Sequence, residues 1–139
     1  MIYYHCAQDN RYLMTNASRW PLDTKTAQGP RVIPVIDIES KRKKIDEPWS
    51  PIEVARVNDQ VVRMALCLGE YHWHRHTDED ELFYVYRGNL KIKLREHPDI
   101  TLHEGQLAVI PRGVEHRPVS DEPSYVILFE PHALKSRGD

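Results

Sequence analysis

Sulfur is scarce in this chain: its 139 residues include two cysteines, Cys6 and Cys67, far apart in sequence. Two thiols outside any Cys-x-x-Cys pair build neither a disulfide framework nor a thiolate metal site. Cys67 lies in an apolar run and is expected to pack as a small hydrophobe. Long apolar runs are missing as well. No stretch approaches the roughly 20 residues of a membrane span. The first twenty residues are largely polar and lack the apolar segment of a signal peptide, so the expected location is the cytoplasm. The chain also lacks an excess of either charge, with 19 Lys and Arg against 21 Asp and Glu, interspersed. Without a basic stripe, neither nucleic acid nor a membrane is an expected partner. The one cluster, Lys41-Arg42-Lys43-Lys44, is flanked by Glu39, Asp46 and Glu47 and reads as a solvated face.

What is present suits one globular domain of ordinary composition, 40% hydrophobic and 29% charged. Residues 1–50 are punctuated by Asn10, Asn16, Ser18, Pro21, Asp23, Gly29 and Pro30 and read as an irregular extension packing on the rest. Within it Val32-Ile33-Pro34-Val35-Ile36 suggests an edge strand, where a proline is tolerated. Asp37 to Ile45 suggests about two helical turns, stopped by Pro48. From Pro51 the pattern changes to short strands, read at 52–57, 60–68, 71–76, 80–86, 89–95, 99–102, 106–110, 114–118 and 124–130. Pairs such as Asn58-Asp59 and Gly69-Glu70, and the triplet Asp121-Glu122-Pro123, mark turns between them. This predicts an all-β antiparallel sandwich or barrel over residues 51–131, with 132–139 as a tail. In Glu81-Leu82-Phe83-Tyr84-Val85-Tyr86, successive side chains alternate between faces, and both faces are largely apolar. A second sheet and a partner subunit are the two ways to cover such a strand, so a homodimer is expected.

Eight histidines occur, and three cluster in His72-Trp73-His74-Arg75-His76. On an extended strand these three imidazoles face one side. Glu81 follows a polar connection, and His116 lies between Gly113 and Pro118. Imidazoles with one carboxylate suit a divalent ion: Fe, Mn, Ni, Co, Cu or Zn. Ligands from separate strands converge when a sheet curls round on itself.

The frame around these residues carries a resemblance. His74-x-His76, four residues, Glu81, six residues, Gly88 is followed by Gly105, five residues, Pro111-x-Gly113, two residues, His116. Both blocks resemble the two signature motifs of the cupin superfamily, over about residues 51–131. Two departures are visible: Gly69 precedes His74 by four residues rather than five, and Ser120 stands where Asn is usual. Trp73 to Gly88 and the closing Val126-Ile127-Leu128-Phe129-Glu130-Pro131 are similar to small stand-alone cupins of the mannose-6-phosphate-isomerase-like kind. The resemblance implies a double-sheet β-barrel, a jelly roll, with one metal ion on His74, His76, Glu81 and His116.

Four protein ligands on a six-coordinate ion leave two exchangeable positions, as a catalytic or ligand-binding site needs. His72, Arg63 and Phe83 are candidates for contacting the substrate, with strand twist turning His72 away to the rim as its alternative, and Val85 and Val114 share parity with ligands as cavity walls. For Arg63 the alternative is an outward side chain, because Val62, Met64, Leu66 and Leu68 form the more uniformly apolar face. The expected function is binding or turnover of a small polar molecule, by dioxygenation or isomerisation, with a non-enzymatic sensing module as the alternative.

Overall fold

The computed structural model describes residues 32–135 and 137–139. Every described strand and helix lies in the compact unit Pro34–Asp139. Expectations for residues 1–31, including His5, Cys6 and the turn residues there, lie outside the described residues.

Alternating apolar residues and turn pairs produce seven strands. They are β1 Ile52–Val57, β2 Gln60–Glu70, β3 Glu81–Arg87, β4 Asn89–Leu94, β5 Ile100–His103, β6 Leu107–Ile110 and β7 His116–Pro131. One short helix, α1 (Ile38–Arg42), precedes them. All pairings between the strands are antiparallel. One layer runs β1-β2-β7-β3-β6, and β4 connects β5 to the first half of β7. The layers therefore share β7: His116–Val119 pairs with β4, and Tyr125–Phe129 lies between β2 and β3. This is the antiparallel double-sheet barrel expected from the strand pattern.

The sequence suggests two strands here, 114–118 and 124–130, separated by a turn. Instead β7 continues, because three residues bulge out without ending the pairing. Cys67 opposes Ser124 and Gly69 opposes Ser120, so Asp121, Glu122 and Pro123 face Leu68 alone. Ser120 Oγ holds the bulge, 2.7 Å from Glu122 O, 2.9 Å from Asn89 O and 2.9 Å from Ser124 Oγ. Gly88 is required beside this knot. It has φ +91°, and a Cβ there would lie 2.4 Å from Ser124 Oγ.

The core sits between the layers, where Phe83, Val85, Leu90, Ile92, Val126 and Leu128 are buried. Each such side chain contributes about 1.5–3 kcal/mol by leaving water. A second cluster, Ile45, Val54, Met64 and Leu66, lies on the opposite face of β2, packed with Ile38, Tyr86 and Tyr125. Helix α1 begins where Asp37 Oδ1 accepts from Ser40 N at 2.8 Å. Its basic cluster is only partly a solvated face. Lys43 and Lys44 are exposed, but Arg42 grips Glu39 at 2.6 Å and stacks 4.8 Å over Tyr125. Val32–Ile36 forms no strand; it is exposed and finds no sheet edge among the described residues. No helix among the described residues is long and apolar enough to cross a membrane.

Candidate metal centre

The segment 71–76 tracks the start of β7 without becoming a strand. Tyr71 N donates to Pro118 O (2.9 Å), His74 and His116 exchange both backbone bonds (3.0 and 2.8 Å), and Gly113 N donates to His76 O (2.7 Å). The register slips by one residue on each side of His74, which leaves an isolated bridge in place of the expected ladder. The slip also breaks the shared parity of the three histidines. His74 and His76 are buried, whereas His72 turns outward and its Nε2 donates to Arg137 O at 2.9 Å.

The tail supports this segment from outside. Asp139 N donates to Arg75 O (3.1 Å) and Thr77 N to Asp139 Oδ2 (2.8 Å). Gly138, at φ +79°, comes so close that a Cβ would lie 2.7 Å from His74 Cβ.

His74, His76, Glu81 and His116 come together, one donor atom of each lying within 4.8 Å of all the others. Glu81 opens β3 opposite Ile110 and faces inward with Phe83 and Val85. All four residues are buried. Nδ1 of His74 lies 3.1 Å from His72 O, and Nδ1 of His116 lies 3.0 Å from Val114 O. A carbonyl only accepts, so each Nδ1 carries the proton and a neutral ring turns an Nε2 lone pair inward. His116 Nε2 then lies 3.1 Å from Glu81 Oε2, a lone pair against a carboxylate oxygen. His76 Nε2 lies 3.3 Å from the same oxygen, buried and without a hydrogen-bond partner. Such a cluster needs a shared cation or extra protons, and nitrogen with oxygen donors fits a divalent transition ion.

Without a metal, shared protons take its place: burial alone would raise Glu81, yet protons held between it and the His116 and His76 rings bring its pKa down to about 2. Burial and His116 lower His74 to about 4, so it is neutral at ordinary pH. Burial would also lower His76, but the Glu81 carboxylate outweighs it and holds His76 above its usual value.

A cavity of about 40 Å³ opens beside the cluster, lined by Trp49, Ala65, Cys67, Tyr71, Phe83 and Leu128 together with His74 and Glu81. That is room for a few water molecules or the donor end of a small ligand. Phe83, a candidate contact, is on its wall and meets His116 edge-on, ring centres 5.8 Å apart. Val85 is fully buried in the core, and Val114 packs against that core, half-buried. Burial raises the Cys67 thiol to about 12, keeping it protonated.

Arg63 faces inward with Val61, Ala65 and Cys67, contrary to the outward orientation suggested by the apolar face opposite. It is held there by an ion pair with Glu130, whose side chain is wholly buried. It does not line the cavity.

Two positions beside the site are not marked by any motif. Glu130 stands in an apolar strand and resembles a strand-end surface residue, although its parity with Val126 and Leu128 marks it as inward. Trp49 has φ +60°, a costly conformation for a bulky residue. Two bonds fix it: backbone N to Leu66 O and indole Nε1 to Leu68 O, both 2.8 Å. No local sequence signal marks that conformation.

Comparison with known proteins matches residues 68–139 to the family described as Cupin domain. The "Uncharacterized protein YdbB" of Bacillus subtilis (strain 168) is 38% identical over 74 residues, which are 53% of this chain and 66% of that one, just under two thirds of the relative. The crystal structure of a cupin-2 domain containing protein from Shewanella frigidimarina is 39% identical with a TM-score of 0.68, covering 70% of this chain and 95% of the other. Protein NMB1881 from Neisseria meningitidis is 28% identical with a TM-score of 0.66, covering 70% of this chain and 99% of that one.

Proposed function

The chain belongs to the cupin family, and on that footing we propose that His74, His76, Glu81 and His116 hold one divalent metal ion at which a small oxygen-bearing molecule binds and reacts. The observation that carries this reading is the convergence of two buried Nε2 atoms on one Glu81 oxygen, with no proton required between them if a metal is there. Bound there, the ion would supply Lewis-acid polarisation of the ligand, or activation of dioxygen if it is iron. Dioxygenation and isomerisation are the reaction classes this suits.

The chain's own residues supply the rest. Carbonyls of His72 and Val114 hold two imidazoles in the metal-binding tautomer. Phe83, Leu128 and Trp49 exclude bulk water, and the small cavity selects the donor end of a compact molecule. Nucleic acid and membranes are not partners in this reading, and the protein works in the cytoplasm.

A homodimer forms in the same reading. On the outer face of the main layer, Val109 is opposite Leu82 and Leu82 opposite Phe129, with Leu107 opposite Tyr84. Leu107 and Val109 are 56% and 50% exposed, and a second copy is the cover the strand pattern asks for.

The test is elemental analysis of protein purified without chelators, then an activity screen with the metal found. About one ion per chain with turnover supports the enzyme. One ion with ligand binding and no turnover leaves a sensing module. An absence of metal sinks both.

A further inference from the structure

Arg63 and Glu130 lie one layer behind the four candidate ligands. The β3–β7 register pairs Leu82 with Phe129 and Phe83 with Leu128, and the next residues, Glu81 and Glu130, lie close enough for Glu81 to disfavour the charge of Glu130. On its other side Glu130 faces Val61 of β2. Two inward carboxylates on adjacent strands are costly to bury, because each disfavours the charge of the other. Arg63 offsets that cost. Its Nη1 pairs with Glu130 Oε1, and its guanidinium also donates to His132 O (3.3 Å) and Leu134 O (3.5 Å), which anchor it to the chain after β7. Glu130 Oε2, the other oxygen, is buried and makes no hydrogen bond. An arginine locked by two carbonyls thus holds a carboxylate whose second oxygen is unused, beside Glu81.

From this geometry we infer that Arg63 and Glu130 are a positioning pair for the metal-binding carboxylate. Arg63 fixes Glu130, and Glu130 backs Glu81, where a bound cation would favour its charged form over the neutral form that burial and Glu81 favour in the metal-free protein. The inference rests on the proposed metal site. Neither residue touches the ion: Glu130 is not among the donors within 4.8 Å of one another. Partners at this remove typically change metal affinity by about 10–100-fold when removed.

The experiment uses full-length protein, stripped of metal and titrated with cobalt(II), followed by visible absorption. Glu130→Gln keeps the shape and removes the charge. Its cobalt affinity should fall about tenfold or more, with shifted absorption bands. Arg63→Gln leaves Glu130 unpaired and is at risk of not folding, so the Arg63→Gln, Glu130→Gln double variant accompanies it. The double variant should fold and match Glu130→Gln, because the first partner acts only through the second. Wild-type affinity and spectrum in Glu130→Gln, with the wild type binding one cobalt, would overturn this inference and leave the metal site standing. A wild type that binds no cobalt overturns both.

Discussion

His74 and His116 exchange both backbone hydrogen bonds, and their ring centres lie 4.2 Å apart. Two motifs distant in sequence thus become a single antiparallel rung. Main-chain atoms make the rung, so deleting a side chain spares it. His74→Ala should fold with a circular dichroism spectrum like that of the wild type while metal content falls well below one ion per chain. Full occupancy in the His74→Ala, His76→Ala double variant would remove this site from consideration.

The pH dependence of metal binding is set by two opposite shifts. His74, lowered to about 4, offers a free lone pair across the ordinary range. His76, held above its usual 6.5 by Glu81, is protonated first as pH falls. Protons compete with metal for the same nitrogen, so affinity should drop by about tenfold per pH unit once pH is below the His76 pKa. Protonation of His74 adds to this loss only near pH 4. Stability of the metal-free protein runs the other way. The raised His76 stabilises the fold fully below its unfolded value and loses that contribution as pH rises through the folded one. Cobalt titrations over a pH series, with thermal melts of the metal-free form, test both signs. An affinity independent of pH through neutrality contradicts the assignment.

The knot at Gly88 yields a stability prediction. Gly88→Ala places a side chain at φ +91° and drives its Cβ into Ser124. The strained backbone costs about 1–3 kcal/mol, and the Ser120–Ser124 contacts that hold the β7 bulge are displaced as well. Urea unfolding should show a lower midpoint. Gly105→Ala, with a similar φ of +82° but nothing within 4 Å, should lose less.

Trp49 reports on the cavity. It lines the same space as His74 and Glu81, so copper(II) or cobalt(II) in the cluster should quench its fluorescence. Replacing it in Trp49→Phe should remove most of that quenching without changing the stoichiometry. Undiminished quenching would place the ion nearer another tryptophan.

For assembly, Leu107→Glu with Val109→Lys puts two charges on the exposed outer face. Light scattering should show the wild type as a dimer and this variant as a monomer. A wild-type monomer at micromolar concentration refutes the dimer.

The four cluster residues are legible in the sequence because the chemistry constrains residue type and spacing together: His74-x-His76, Glu81 and His116 recur in a frame of turn residues. Period-two alternation also identifies the inward face of β3 correctly. It fails at 71–76, where the register slips twice and His72 leaves the shared face. Asp121-Glu122-Pro123 looks like a turn between strands because composition cannot separate a turn from a bulge inside paired strands. Arg63 misleads for a related reason. A charge on an inward parity looks unfavourable until its partner is known, and Glu130 lies on a strand far along the chain. Each position alone suggests a surface; only the pair explains the burial.

The shared strand β7 has a kinetic consequence. It pairs with β2, β3 and β4, all of which precede it in the chain. Neither layer can open alone while β7 remains paired in the other, so unfolding should be a single cooperative event, with the slowest amide exchange along β7. Folding has to bring together segments with long sequence separations, which slows the search. The barrel can close only when the last of its strands has docked, and the His74–His116 rung can form only in that closing step.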